Sequence, residues 1–190
     1  MNAEKKELSH AEANAQGWYE TICEHVAALE CDRERLEELR DEREALQDEV
    51  DAIDKAADLD DDEQGHLDAL KEWDEENAEE LKELEAASKI DGEEVDEEQA
   101  RERIEESPLS VEVRGDWHAP GAEEESPSEF CILLSTGGPA LRLLGELDEH
   151  CQPTRAWLEH QDWGTPWTHY YIQDGADTLL KWASVFYFGD

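Results

Sequence analysis

Carboxylates dominate the side chains of this chain that could do chemistry, and they are dense in the run DLDDDEQ that begins at Asp58. Asp58, Asp60 and Asp62 match the first three alternate positions of a calcium-binding EF-hand loop. Such a loop needs glycine at its sixth position and a bidentate glutamate at its twelfth, but these positions hold Glu63 and Ala69. The run therefore fails as a calcium loop, and we expect neither a metal nor a cofactor.

Nucleophilic catalysis is the second chemistry to consider. Cys131 and Cys151 are the best candidates, because His150 is adjacent to Cys151. However, Cys131 lies in an apolar segment and is predicted to belong to the core. The sequence contains no G-x-S-x-G, H-E-x-x-H or P-loop pattern, and its cysteines and histidines match no zinc-ligand spacing. We therefore expect a protein that is not an enzyme.

The net charge of the chain limits the classes of partner that it can bind. The 190 residues include 54 acidic and 16 basic side chains, a formal net charge of −38. Such a charge opposes direct binding to nucleic acid or to an anionic membrane and favours a basic protein partner. The opening segment MNAEKKELSHAEANAQGW has no apolar core, so we expect neither a signal peptide nor a membrane anchor. Four cysteines without a C-x-x-C pair are typical of reduced thiols in a cytoplasm.

The composition changes near Ser107, which predicts an acidic helical region at 1–107 and a small α+β domain at 108–190. The first region contains no proline, whereas the second contains all six. Within the first region, SHAE at 9–12 has the form of a helix capping box. A short third helix is predicted at DEEQARERIEE, with Asp96 as its cap and Pro108 as its stop.

Apolar side chains in the acidic region follow heptad spacing, which indicates helices that pack along one seam. The first series is Ile22, Leu29, Leu36, Arg43, Val50 and Ala57, with Leu39, Leu46 and Ile53 at the companion position. After the acidic break, Leu67, Leu70, Leu81 and Leu84 restart the pattern. An antiparallel coiled-coil hairpin is the simplest arrangement, with a continuous parallel coiled coil as the alternative. A homodimer that forms through these helices is a further alternative.

Short apolar or alternating segments predict strands in the second domain: LSVEVRGDW, EFCILLST, ALRLLGELD and TRAWLEHQDW. Gly137 and Gly138 predict a tight turn between the second and third. The final segment DTLLKWASVFYF has helical periodicity. The predicted fold is α+β: the N-terminal hairpin, then a small four-stranded antiparallel sheet with a C-terminal helix.

The same domain carries a family resemblance. ESPLSVEVR, ILLSTGGPALRLLGELDEH, QDWGTPWTHYY and FYFGD resemble the C-terminal part of small uncharacterised proteins of bacterial integrative elements, plasmids and phages. The resemblance covers roughly residues 106–190 and implies a mobile-element setting without any activity. The acidic half resembles anti-CRISPR and anti-restriction DNA mimics in composition only.

Charge density predicts the partner-binding face. Residues 58–85 hold 14 acidic and 2 basic side chains. A helix of that length spans about 42 Å, over which one DNA strand carries about 12 charges. The predicted DNA-mimicking face comprises Asp58, Asp60, Asp61, Asp62, Glu63, Asp68, Glu72, Glu75, Glu76, Glu79, Glu80 and Glu83.

Two hypotheses for function follow. The first is an inhibitor that blocks the basic nucleic-acid channel of a host defence complex, anti-CRISPR first and anti-restriction second. The alternative is a non-catalytic coiled-coil adaptor that binds a basic host protein, or simply a solvated scaffold. Trp163, Trp167, Tyr170 and Tyr171 form either a secondary protein contact or part of the core.

Overall fold

The computed structural model describes residues 9–53, 61–115, 117 and 126–189. In this part of the chain the helices are α1 (His10–Glu30), α2 (Arg33–Asp51), α3 (Asp61–Ala87), α4 (Glu97–Glu106) and α5 (Ala176–Ala183). The strands are β1 (Lys89–Ile90), β2 (Glu93–Glu94), β3 (Ser110–Arg114), β4 (Glu129–Ser135), β5 (Ala140–Leu147), β6 (Pro153–Gln161) and β7 (Thr168–Tyr170). The fold is α+β, as the sequence predicts.

Local capping signals place two helix starts where the sequence predicts them. At α1, the Ser9 hydroxyl accepts from the Glu12 backbone N–H, while the Glu12 carboxylate accepts from the Ser9 N–H. Asp96 and Gln99 form the same reciprocal pair at α4. Both boxes satisfy backbone donors that a helix leaves free in its first turn.

The helix predicted to run from residue 22 to 57 is in fact interrupted, which corrects the continuous heptad. Helix α1 ends at Glu30, and the Asp32 carboxylate caps α2 by accepting from the Arg35 N–H at 3.0 Å. The Arg33 guanidinium donates to the carbonyls of Ala28 (2.6 Å) and Val95 (3.0 Å), holding the bend against the chain beyond α3. The hairpin therefore consists of α2 and α3 alone.

The main sheet has five antiparallel strands in the order β3-β4-β5-β6-β7, so the prediction of four strands was wrong. The additional strand, β7, pairs with residues 158–160 of β6. It is only three residues long, too short to show an alternating pattern. A separate hairpin of β1 and β2 turns at Asp91 and Gly92, where φ is 53° and 80°. An Asp-Gly pair is a standard signal for that turn.

The main hydrophobic core lies on one face of the five-stranded sheet. Alternate residues of β4 and β5 point inward, and helices α1, α4 and α5 contribute Ile22, Ile104 and Trp182 to the same cluster. Leu29, the next heptad position of α1, packs beside this core as well. The core thus joins residues from both sides of the predicted boundary at 107/108.

Candidate partner-binding surface

A narrow apolar seam holds the α2–α3 hairpin together. Leu36 and Leu39 of α2 share one buried cluster with Trp73 and Leu81 of α3. Leu46 and Leu84 pack beside it. These contacts orient both helices, since each must turn its apolar side towards the other. The predicted antiparallel hairpin is confirmed for α2 and α3.

Polar bridges flank the seam and set the antiparallel register. The Arg35 guanidinium contacts the Glu80 carboxylate at 3.2 Å, and Arg43 contacts Asp74 at 3.0 Å. The Trp73 indole N–H donates to Glu42 Oε2 at 3.0 Å. Arg35 and Arg43 are therefore engaged within the hairpin, rather than exposed on its outer surface.

A further arginine ties the hairpin to the adjacent small β-hairpin. Arg40 makes two hydrogen bonds to the Glu94 carboxylate, at 2.9 and 3.0 Å, and lies 3.6 Å from Glu85. The hydrogen bonds from Arg40 lower the pKa of Glu94. The carboxylate therefore remains ionised at neutral pH, and the bridge keeps both charges.

The carboxylates of α3 form one outward row, which we name the α3 stripe. Its members are Asp61, Asp62, Asp68, Glu72, Glu75, Glu76, Glu79 and Glu83, and all are exposed. At 3.6 residues per turn they fall within an arc of about 140° on the side opposite Leu81. Lys71 and Lys82 flank the stripe and contact Asp68 (3.3 Å) and Glu79 (3.5 Å).

Two described residues of the predicted face, Glu63 and Glu80, do not belong to this stripe. Glu80 is held by Arg35 at the margin of the seam, where its charge is neutralised. Glu63 is half-buried and lies on the same side of the helix as Leu81. Asp58 and Asp60 lie outside the described residues. Sequence density alone counted these residues without knowing which way the helix faces.

Helix α2 carries a second outward row that the sequence analysis missed, here named the α2 stripe. It comprises Glu34, Glu37, Asp41, Glu44, Asp48 and Asp51, all exposed. The steps alternate between three and four residues, and the row lies opposite Leu39 on the helix. The signal is present in the sequence, because each of these carboxylates stands two positions before a heptad residue.

The two stripes point away from each other, because the seam turns the opposite sides of both helices inward. Packed helices lie about 8–10 Å apart and are about 10–12 Å wide with their side chains, so the stripes are roughly 20 Å apart. That separation is of the order of the width of a nucleic-acid duplex. The α3 stripe spans about 33 Å at 1.5 Å per residue, over which a DNA strand carries about ten phosphates.

The four aromatic residues of the predicted secondary contact do not form one patch. Trp167 stacks on the Arg142 guanidinium, with 4.2 Å between the guanidinium carbon and the ring centroid. Tyr170 is half-buried against the His160 ring and packs beside the core, whereas Tyr171 is exposed. Trp163 is exposed and covers Gly138 in the β4–β5 turn.

The cysteines are free thiols in different surroundings. Cys131 lies on the outer face of the sheet, half-buried, so its prediction as a core residue was wrong; the alternation of β4 sends Phe130 and Ile132 inward instead. Burial raises the pKa of the Cys131 thiol, which therefore stays protonated at neutral pH. Cys151 is the cysteine of the core.

Two absences hold for the residue ranges that the structure describes. No group of three or more histidine, cysteine, aspartate or glutamate side chains is arranged to hold a metal ion there. Among the helices of those ranges, none is both long enough and apolar enough to cross a membrane.

Comparisons with known proteins leave the surface to be interpreted on its own geometry. No protein-family model, curated protein or solved structure matches this chain.

Proposed function

We propose that this protein inhibits a host defence complex that binds nucleic acid, by presenting its acidic hairpin in place of DNA. An anti-CRISPR role is the first choice and anti-restriction the second. The α3 and α2 stripes would enter the basic channel that holds nucleic acid and exclude the target duplex. Occupancy alone blocks the complex, so the mechanism requires no catalytic group. The setting is the cytoplasm of a bacterial host.

The observation that carries the proposal is the sorting of charge across the hairpin. Carboxylates at the seam or beside it form ion pairs with Arg35, Arg40 and Arg43. The outer sides are left with rows of exposed carboxylates. A helix stabilised for its own sake would place lysine four residues from glutamate, because like charges at that spacing destabilise helices. Charge sorted in this way supports a basic partner of extended shape.

The negative electrostatic field of these carboxylate rows indicates the kind of partner. CRISPR effectors hold their nucleic acids in positively charged channels and recognise them largely through backbone geometry. A rigid double row of carboxylates about one duplex wide complements such a channel without any base. The resemblance of residues 106–190 to proteins of mobile elements agrees with an inhibitor carried by elements that host defences attack.

The test measures binding of duplex DNA by purified guide-loaded CRISPR effectors and, in parallel, by restriction enzymes. We expect the protein to displace target duplex from one of these complexes, and excess duplex to displace the protein in return. Binding should weaken steeply as salt rises, because the charges on both surfaces are screened together. Fluorescence anisotropy of labelled target DNA reads the competition directly.

Charge variants identify the surface. Replacing Glu72, Glu75, Glu76, Glu79 and Glu83 with Gln keeps side-chain size and should weaken inhibition at least tenfold. The matched control replaces five exposed carboxylates outside the hairpin, Glu98, Glu102, Glu105, Glu106 and Glu149, which gives the same net charge. If both variants lose inhibition equally, total charge rather than the stripe is responsible.

The coiled-coil adaptor makes a different prediction in the same assay. An adaptor binds its basic partner while duplex DNA remains bound, so the anisotropy of the DNA would rise instead of falling. That result would reject mimicry in favour of the adaptor. Full inhibition by the five-fold α3 variant would move the function away from the hairpin altogether.

A further inference from the structure

Half of strand β6 has no neighbour on its outer side in the described part of the chain. Strand β7 pairs with Leu158, Glu159 and His160 only. Residues 154–157 continue the strand beyond that pairing with β5 as their only strand neighbour, and the register of β5 and β6 skips Thr154, which forms a bulge. The sheet therefore ends in an open edge about 13 Å long.

The backbone of this edge is oriented for another strand. The Arg155 carbonyl points towards β5, because a Cβ placed on Gly145 would overlap it. Neighbouring residues of a regular strand alternate, so Ala156 directs its N–H and C=O groups away from β5. No described residue outside the sheet makes a backbone hydrogen bond to them. Such groups are a template for strand addition.

A groove runs along the same edge, with a cavity volume of about 770 Å³. One wall is apolar and comes from Ile172 and from Leu179 and Leu180 of α5. The other is formed by the strand itself and by Tyr171, whose side chain is 80% exposed. This volume lies within the range of ligand-binding clefts in proteins. An open edge beside a helix, with an apolar floor, is the arrangement that binds extended peptides by strand addition.

Charge around the groove selects the kind of peptide. The Arg155 guanidinium is already neutralised by Glu146 at 2.7 Å. Lys181 contacts both Glu30 (3.0 Å) and Asp177 (3.2 Å). The two cations beside the groove are therefore engaged, while the chain as a whole carries −38. An acidic peptide would be repelled and a basic one attracted.

We infer that this groove binds a basic peptide in extended conformation, which adds as a strand beside residues 154–157 of β6. Alternate residues of the peptide would place apolar side chains against Leu180, while the net negative charge of the chain attracts the basic side chains between them. The site is separate from both stripes and requires neither of them. It gives the protein a second means of holding a partner, through backbone recognition instead of charge mimicry.

The first experiment uses the full chain and the synthetic peptide acetyl-KVKVKV-amide as probe. In two-dimensional NMR spectra, the peptide should shift the amide signal of Ala156 and slow its hydrogen exchange. The same peptide N-methylated at every second residue cannot complete the backbone ladder and should bind at least tenfold more weakly. Equal binding of the two peptides, or shifts confined to α2 and α3, would overturn the inference.

Variants then test the edge and the wall separately. Ala156→Pro removes the outward N–H at a position where an edge strand tolerates proline, and should weaken binding about tenfold. Leu180→Lys should weaken it similarly by repelling the probe, and it does not depend on the proline variant folding. Its matched control is Leu109→Lys, which adds the same charge beside β3, at the opposite edge. Far-UV circular dichroism checks that each variant is folded.

Two outcomes contradict the inference at this stage. If Leu180→Lys binds the peptide as well as Leu109→Lys does, the groove is not the site. If sedimentation shows a wild-type dimer that Leu180→Lys alone dissociates, the groove holds a second copy of the chain. Loss of inhibition by the α3 variant bears on the acidic stripe and leaves this peptide test unchanged, so the two proposals fail separately.

Discussion

The α2–α3 hairpin and the rest of the fold are stabilised differently. We call the rest, namely the five-stranded sheet with α1, α4 and α5, the body. In the body, α1, α4 and α5 cover one face of the sheet, and a continuous core includes fully buried residues such as Phe130, Leu143 and Trp182. In the hairpin, two helices share only a thin seam centred on Leu39 and Trp73. Burial stabilises the body, whereas the hairpin has little apolar area to offset its charge.

This difference shows where the molecule can tolerate repulsion. The acidic stripes lie on the hairpin, whose core is much smaller than that of the body, and like charges at helical spacing cost stability. Selection for stability alone would have put them on the better-buried body or interspersed them with lysine. The hairpin carries the two acidic stripes, and Arg33 ties it to the rest of the fold through the carbonyls of Ala28 and Val95.

The largest effect is expected from opening the core of the body. Trp182 is completely buried and its indole N–H donates to His25 Nδ1 at 3.3 Å. Trp182→Ala should destabilise the protein by about 3–5 kcal/mol, since it leaves a cavity and an unpaired acceptor. Urea unfolding followed by circular dichroism measures the loss. A change below about 1 kcal/mol would contradict the central place given to this core.

A smaller and more local effect is expected at the seam. Leu39→Ala should cost about 2–4 kcal/mol, but chiefly within the hairpin. Hydrogen exchange should accelerate throughout α2 and α3, while the amides of β4 and β5 remain protected. Leu109→Ala, at an exposed site, is the control. Equal acceleration in the sheet would mean that the two regions unfold together and that the contrast between them does not extend to stability.

Lowering the pH should destabilise the body through protonation of His25. Burial lowers the pKa of His25, with the charges of Asp91 and Arg103 as smaller influences. The unfolded chain, with the ordinary value of 6.5, takes up the proton more readily than the folded one. His25 therefore contributes stability above that value, and stability falls as pH drops below it, by at most about 1.4 kcal/mol per pH unit.

This pH effect should be confined to the body and should depend on one side chain. Urea titrations at pH 7.5, 6.5 and 5.5 measure it. In His25→Gln, an amide oxygen can still accept from Trp182, but the slope over this range should vanish. If the free energy of unfolding of that variant still falls as pH drops, another group causes the pH dependence.

The smallest effect should come from removing the repulsion itself. Replacing Glu34, Glu37 and Glu44 with Gln neutralises part of the α2 stripe, and should stabilise the hairpin by about 0.5–1 kcal/mol at low salt. The gain should shrink at high salt, because screening has already weakened the repulsion. Thermal unfolding at two salt concentrations tests both statements. Destabilisation would mean that these carboxylates make contacts that hold the hairpin.

Local signals account for the parts of the fold that the sequence predicted correctly. The capping residues Ser9 and Asp96 act on backbone groups three residues away, so their effect can be read without knowing the fold. Alternation in β4 and β5 follows from strand geometry and marked both strands. Heptad spacing likewise predicted the α2–α3 seam, because residues three or four positions apart lie on the same side of a helix.

Other features depend on which elements meet. The same heptad spacing continues into Ile22 and Leu29 of α1, yet these residues pack with the sheet body and not along the hairpin seam. The bend between α1 and α2 depends on Arg33 reaching Val95, which lies 62 residues further along the chain. No local pattern contains that contact. The sequence therefore predicted helices but assigned one of them to the wrong partner.

The candidate sites divide in the same way. Sequence alone determined the charge, the acidic character of α3 and the α+β class, because composition and periodicity are local properties of the chain. Only the tertiary structure decided that Glu80 is neutralised by Arg35, that the two stripes point away from each other, and that half of β6 lies open beside α5. Each of these depends on which surfaces are buried against each other, and burial is a property of the packed molecule rather than of any segment.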